Sequence, residues 1–413
     1  MNNSRFSSLL ENYARLIISL GINLQRGDYV LISALTVHRD FVCILAEEAY
    51  RRGAFFVNIL YQDEKLQKSQ LLFGDEKSLD FVSESMKQAY EEVLQYKGVF
   101  ISIADREEVK GFENIPASRL GKVFLSRAHK LNFFQKAVQK NAIRWCVVSA
   151  ATTGRARTVF PHMDETEAVS LLWQNIFNIC KVDQDDPAAA WSHHLAVLSK
   201  RKKTLNTLGI SSLAFSSPLT RLTAGLHPRA VWLGGSSVSA DGIVFYPNIP
   251  TEEVFTAPDF HTLNGHFEAT RPVTYKNLYI EKVSARFENG SIISLEGSHG
   301  ITELREIVFA EKQNAYAGEI ALVDSSSSVA CSNLVFHDLL YDENAESHIA
   351  IGSAYQECLP DSRNWDSHTK AKAGFNESQI HIDIMLGSPV MDVSASTRDN
   401  KQVQIIQQGH FCI

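Results

Sequence analysis

The chain has 413 residues, 45% of them hydrophobic, and a formal net charge of −7, which is enough apolar sequence for one large domain or, more readily, two. Lys and Arg occur mostly singly, so there is no basic stripe of the kind that tracks phosphates, and nucleic acid is not an expected partner. No run is long and apolar enough to span a bilayer, so no membrane association is expected.

The opening MNNSRFSSLLENYARLIISLGINL carries Glu11 and Arg15 inside its apolar pattern. It reads as an amphipathic helix and not as a signal peptide. From Tyr29 to Ala150, short β-branched runs alternate with helical stretches, the pattern of a layered α/β domain. YVLIS at 29–33 is a strand, followed by a helix through FVCILAEEAYRRG that ends at Gly53. FFVNILY, GVFISIA and RWCVVSA supply further strands, with helices near 80–95 and 133–141 between them. Crossovers of helical length imply a mainly parallel sheet. Neither G-x-G-x-x-G nor a Walker-type G-x-x-x-x-G-K is present, so nucleotide binding lacks its usual support.

Helical stretches at 165–179 and 191–208 bracket KVDQDDPAAA, a solvated turn with an N-cap in preference to a calcium loop, because the Gly and distal Glu of such loops are missing. Beyond Ile210, alternating runs such as LYIEKVSARFE and SIISLEG, with turns at Asn289-Gly290 and Asp241-Gly242, indicate a second domain rich in antiparallel strands. The expected division is 1–208 and 209–413. The six cysteines, Cys43, Cys146, Cys180, Cys331, Cys358 and Cys412, are widely spaced and form no CxxC. They suit reduced buried thiols in the cytoplasm and not a thiolate zinc site.

Chemistry-bearing residues cluster in the second half. Leu339 to Tyr355, LLYDENAESHIAIGSAY, sets Asp342, Glu343, Glu346, His348 and Tyr355 among apolar neighbours. Buried carboxylates and imidazoles are costly unless neutralised, and a divalent cation is one way to neutralise them. QIHIDIML, 379–386, alternates strictly. Ile380, Ile382 and Ile384 would line one face of a half-buried strand, with His381 and Asp383 together on the other. FYPNIPTEEVFTAP holds the vicinal Glu252 and Glu253 on an extended chain, so they project in different directions. In AYAGEIALVD, Glu319 stands at the mouth of an apolar strand. Plainer readings exist for each: Glu253 or Glu319 as a cap or ion-pair member, His348 as a satisfied core histidine, Tyr355 as packing. His193, His194 and His299 read as structural or solvent-facing. There is no HExxH, so any metal site is assembled from distant segments.

NIPTEEVFTAP, GEIALV, LYDENAESHIAIGSAY and IHIDIMLGSP resemble, in order and spacing, the signature segments of the M29 family of metallopeptidases, the aminopeptidase T, aminopeptidase S and PepS group. Weaker similarity reaches back through WLGGSSVSADG to RLIISLGINLQRGDYVLI. The resemblance implies an α/β first domain followed by a β-rich α+β catalytic domain. It also implies two divalent metal ions, described in the family as zinc, cobalt or magnesium. Carried over by position, the ligands are Glu253, Glu319, Glu343, His348, His381 and Asp383, with Glu319 as the bridge, and Tyr355 is the catalytic tyrosine. Peptide substrates and a homodimer follow from the same resemblance. AATTGRARTVFP at 150–161, Arg221 and Leu263-Asn264 depart from the family pattern without touching a proposed ligand, and they bear on substrate preference and access.

Two cations a few ångströms apart would lower the pKa of a shared water and polarise a scissile carbonyl. Glu252, beside a ligand, is the candidate general base, with a surface residue as the alternative. Tyr355 would donate to the tetrahedral intermediate. The reading is a metal-dependent aminopeptidase. The alternatives are a two-metal hydrolase of another bond, such as a phosphoester, or a peptide-binding protein that keeps the metal site without turnover.

Overall fold

The computed structural model describes residues 3–104, 106–112, 114–275 and 278–413. The chain divides into two compact units, one formed by Met1–Ser192 with Ser236–Pro250 and the other by His193–Gly235 with Thr251–Ile413. The Asp241-Gly242 turn therefore belongs to the first unit. It joins two short strands, Ser237–Val238 and Val244–Phe245.

The first unit is built on a four-stranded sheet in the order Phe56–Gln62, Tyr29–Leu35, Val99–Ile103, Arg144–Val148. All three pairings are parallel. The central strand, Tyr29–Leu35, is buried over its first six residues, as a strand covered by helices on both faces must be. Helix Arg39–Arg51 ends just before Gly53, whose φ of +94° closes the helix in a conformation other residues avoid. The helix expected from residue 80 begins at Glu84, because the Ser83 hydroxyl accepts the Met86 N–H and fixes the start. The helix expected from Trp191 begins four residues earlier, at Pro187, where a missing N–H costs nothing. Asp186 caps it by accepting the Ala189 N–H at 3.0 Å.

The second unit contains two large antiparallel sheets and a two-stranded one, Val273–Tyr275 with Leu278–Ile280. The larger has eight strands in the order Ser291–Glu296, Ser284–Glu288, Asn264–Glu268, Thr220–Gly225, Ile210–Ser216, Asp392–Thr397, Gln402–Gln407, His410–Phe411. Asn289 and Gly290, both at positive φ, make the tight turn between its first two strands. The run LYIEKVSARFE is not one strand: Leu278–Ile280 and Ser284–Glu288 pair with different partners. The smaller sheet has the order His381–Met385, His348–Gly352, Ala317–Leu322, Val254–Thr256. One of its faces presents Val254, Ile320, Leu322, Ile349, Ile351, Ile382 and Ile384 to the core of the unit.

Candidate metal centre

The opposite face of the four-stranded sheet is the site. Residues directly opposite in an antiparallel pair share a face. Glu319 pairs with Ala350 and Ala350 with Asp383, so both carboxylates lie in one lateral row with a methyl group between them. Two residues on, His348 pairs with Ala321 and Ala321 with Phe255, placing the imidazole on that same face. His381, opposite Gly352, completes it. Glu253 leads into the Val254–Thr256 strand two residues before Phe255 and therefore points the same way. Small residues at 321, 350 and 352 leave the volume that the donors occupy. Gly318 and Gly352 are required by close backbone approach: a Cβ on the first would lie 2.3 Å from the Ser353 carbonyl oxygen, and on the second 2.2 Å from that of Ile380.

These five side chains converge. Nε2 of His348 lies 3.2 Å from Oε2 of Glu253 and 3.9 Å from Oε1 of Glu319. Nε2 of His381 lies 3.4 Å from Oε2 of Glu319 and 3.2 Å from Oδ1 of Asp383. Among the described residues they form two groups able to hold a cation, Glu253–Glu319–His348 and Glu319–His381–Asp383, with ligand atoms in each within 4.8 Å of one another. Glu319, only 3% exposed, belongs to both. Each imidazole is oriented by its other nitrogen, His348 Nδ1 on the Glu346 carbonyl at 3.1 Å and His381 Nδ1 on that of Ser353 at 2.8 Å, the arrangement that aims Nε2 at a metal. The strand at 381–385 is buried on both faces, not half-buried, because the donor face is enclosed as well.

The electrostatics are those of buried carboxylates crowded around two imidazoles. Burial, then Glu253 and Asp383, push the Glu319 carboxyl up to about 6, with His381 pulling against them. Burial disfavours a charged His348 imidazole, but Glu253, Asp383 and Glu319 overcome it and raise the group to about 10. His381 is raised well above its ordinary value by Asp383 and Glu319 against the same burial. Oε2 of Glu253 and Oε2 of Glu319 are buried and lack a well-formed hydrogen bond. Oxygen and imidazole donors with unsatisfied carboxylate oxygens fit a divalent cation.

Other expected residues fall differently. Glu343 lies outside both groups, half-buried at the end of helix Leu339–Glu343. Its carboxyl is raised well above the ordinary value by burial and by Glu253 and Asp383 nearby. Tyr355 sets its ring at a tilt against those of His381 and Phe255, with centroids 4.9 and 5.6 Å away, and is 42% exposed. Glu252 is not a surface residue. It is 6% exposed, with its carboxylate 3.8 Å from Nε2 of His194, which also meets the Thr251 carbonyl at 2.7 Å. His194 therefore serves the Glu253 segment, and nothing in its helical context marked it for that. Asp342 and Glu346 turn to Arg271, at 3.3 and 3.6 Å.

A sheet face of this kind places the chain among proteins that work through a bound metal. Comparison with known proteins narrows the class: the family model described as "Thermophilic metalloprotease (M29)" matches residues 6–411. The chain is 34% identical to aminopeptidase AmpS of Bacillus subtilis over 408 residues, 98% of this chain and 99% of that one. It is 35% identical to aminopeptidase T of Thermus thermophilus over 412 residues, 99% of each. The solved structure of wild-type AmpT from Thermus thermophilus superposes with a TM-score of 0.92 at 33% identity, covering 99% of this chain and all of that one. The chain belongs to the M29 family of metallopeptidases and is a metal-dependent hydrolase of peptide bonds.

Proposed function

We propose that the chain is an aminopeptidase that removes N-terminal residues from peptides. In this reading two divalent cations are held by Glu253, Glu319, His348, His381 and Asp383, with Glu319 shared. The observation that carries it is the reach of one carboxylate to two centres: Oε1 of Glu319 faces His348 while Oε2 faces His381. The aminopeptidase names of the relatives support the substrate class.

Bound cations would lower the pKa of a water and polarise the scissile carbonyl. The chain's own residues do the rest. Glu343, outside both ligand groups yet close enough to feel the charge of Glu253 and Asp383, accepts the proton of the attacking water and returns it to the leaving amine. That role passes from Glu252 to Glu343 because the Glu252 carboxylate is turned to His194. The Tyr355 hydroxyl donates to the oxyanion of the tetrahedral intermediate.

The catalytic domain in this reading is the second unit, which holds every one of these residues. We place the enzyme in the cytoplasm as a homodimer: no disulfide joins the cysteines among the described residues, and among the described residues no helix is long and apolar enough to cross a membrane. The homodimer rests on the family resemblance. The test is release of p-nitroaniline from aminoacyl-p-nitroanilides by chain stripped with chelator, before and after adding cobalt or zinc. Turnover that returns with metal, and fails on Nα-blocked substrates, is expected. Metal-dependent cleavage of phosphoesters without peptidase activity would replace this reading with another.

A further inference from the structure

The ligands come from four separate segments, and a sheet register alone does not set Glu253, which precedes its strand, or Glu343, which ends a helix. One side chain spans that gap. Asn344 is completely buried at the C-terminal end of helix Leu339–Glu343. Its Oδ1 accepts the backbone N–H of Glu252 at 2.6 Å and its Nδ2 donates to the Leu340 carbonyl at 2.7 Å. Its own carbonyl accepts the Ser327 hydroxyl at 3.1 Å. One planar amide, with both ends engaged and no rotamer freedom left, thus ties the residue before Glu253 to the turn that ends in Glu343.

We propose that Asn344 is a positioning residue for the metal centre, fixing the Glu252–Glu253 segment against the Glu343 helix so that Glu253 meets His348 at the distance a shared cation needs. This rests on the metal-site reading above. The physical reason is that the Glu252 N–H, buried ahead of the Val254–Thr256 strand, donates to Oδ1, so deleting Oδ1 takes an acceptor from a buried donor and loosens the adjoining carboxylate. Asn344 touches no substrate and acts through Glu253. Residues that orient ligands in this way typically change metal affinity by tenfold or more when lost.

The test is competition for Zn²⁺ between a chromophoric chelator and the full-length chain, metal-stripped, as wild type, Asn344→Ala, Asn344→Leu and Thr397→Val. The Leu variant keeps the branched heavy-atom skeleton, with bulkier methyl ends in place of the polar ones, and so leaves no cavity of the kind the Ala variant opens. Thr397 is the control: it is 4% exposed and bonded through its hydroxyl to Asp399 and Lys401 in the other sheet. The Asn344 variants are expected to bind Zn²⁺ about 10- to 100-fold more weakly, with Thr397→Val unchanged. Wild-type affinity in Asn344→Leu would overturn the positioning role while leaving the metal site standing. An equal loss in Thr397→Val would overturn it as a general loosening of the fold. A wild-type chain that takes up no Zn²⁺ would remove the metal site itself, and the role of Asn344 with it.

Discussion

Nη1 of Arg271 lies 3.3 Å from Oδ1 of Asp342, and its Nη2 lies 3.6 Å from Oε1 of Glu346. Asp342 also accepts the backbone N–H groups of Phe336 and Asp338. The acidic run DENAESH is thereby sorted: Glu343 and His348 go to the metal face, Asp342 and Glu346 to a buried guanidinium. Arg271→Met leaves two buried carboxyls without a counter-ion, a loss of about 3–5 kcal/mol when they are ionised. Burial already pushes Asp342 up to about 6 and Glu346 up to about 7, with Arg271 opposing. Both therefore titrate higher folded than unfolded. The destabilisation they impose is absent below about pH 4, grows as pH rises above it and is complete once pH has passed their folded values. Loss of Arg271 raises those values further, so denaturation midpoints in chelator should separate variant from wild type far more at pH 8 than at pH 5. A gap independent of pH would assign Arg271 to packing.

Glu319 and its shared position lead to two opposed outcomes. Glu319→Gln should abolish turnover and lower bound metal at both centres, measured by elemental analysis after gel filtration. In chelator at pH 8 the same variant should be at least as stable as wild type, because the buried carboxyl it replaces is pushed up to about 6 and is ionised at a cost there. Full metal stoichiometry with full turnover would sink the bridge.

Much of this site was legible in the sequence, and the limit on the rest is physical. The alternation of QIHIDIML placed His381 and Asp383 on one face, and the vicinal pair Glu252–Glu253 was expected to diverge, as it does. The parallel pattern of the first sheet followed from its crossover lengths. What one strand's pattern does not contain is register. That Ala350 sits between Glu319 and Asp383 depends on two pairings, Glu319 with Ala350 and Ala350 with Asp383, each between segments about thirty residues apart. The same alternation runs through EIAL and HIAIG, where Ala321 and Ala350 are the small residues that make room for the donors. His194 and Arg271 lie on a helix and in a loop with no local pattern, so their roles appear only once the chain is folded. Two polar residues of DENAESH, Asp342 and Glu346, could not be separated from Glu343 by composition, since the choice is made by Arg271.

Metal uptake should release protons. With no cation present, His348 is raised to about 10 and His381 well above the ordinary value, by Glu253, Asp383 and Glu319 against the opposing effect of burial. His348 is therefore protonated at pH 8, His381 is pushed in the same direction, and each must be neutral to bind a metal. Titration calorimetry of Zn²⁺ into stripped chain, in buffers of different ionisation enthalpy, should report release of about one proton from His348 and a further contribution from His381. Apparent affinity should climb from pH 7 toward 10, since the competing proton is lost only as pH rises through the raised values. Binding with no proton release would remove both histidines from the ligand set.

Tyr355 differs from the ligands in leaving much of its ring accessible while packing against His381 and Phe255. Its hydroxyl is raised well above the ordinary tyrosine value by burial and by Glu319, Asp383, Glu343 and Glu253, so it keeps its proton throughout the neutral range. A donor that stays neutral beside bound cations can strengthen its hydrogen bond as negative charge grows on the carbonyl oxygen, and it adds no positive charge to the resting site. Tyr355→Phe preserves the ring contacts and removes only that donor. It should lower kcat roughly 10- to 1000-fold, with metal content and the denaturation midpoint unchanged. A fall in KM alone, or an unaltered kcat, would leave Tyr355 as a lid on the His381 ring and move oxyanion stabilisation to the metals.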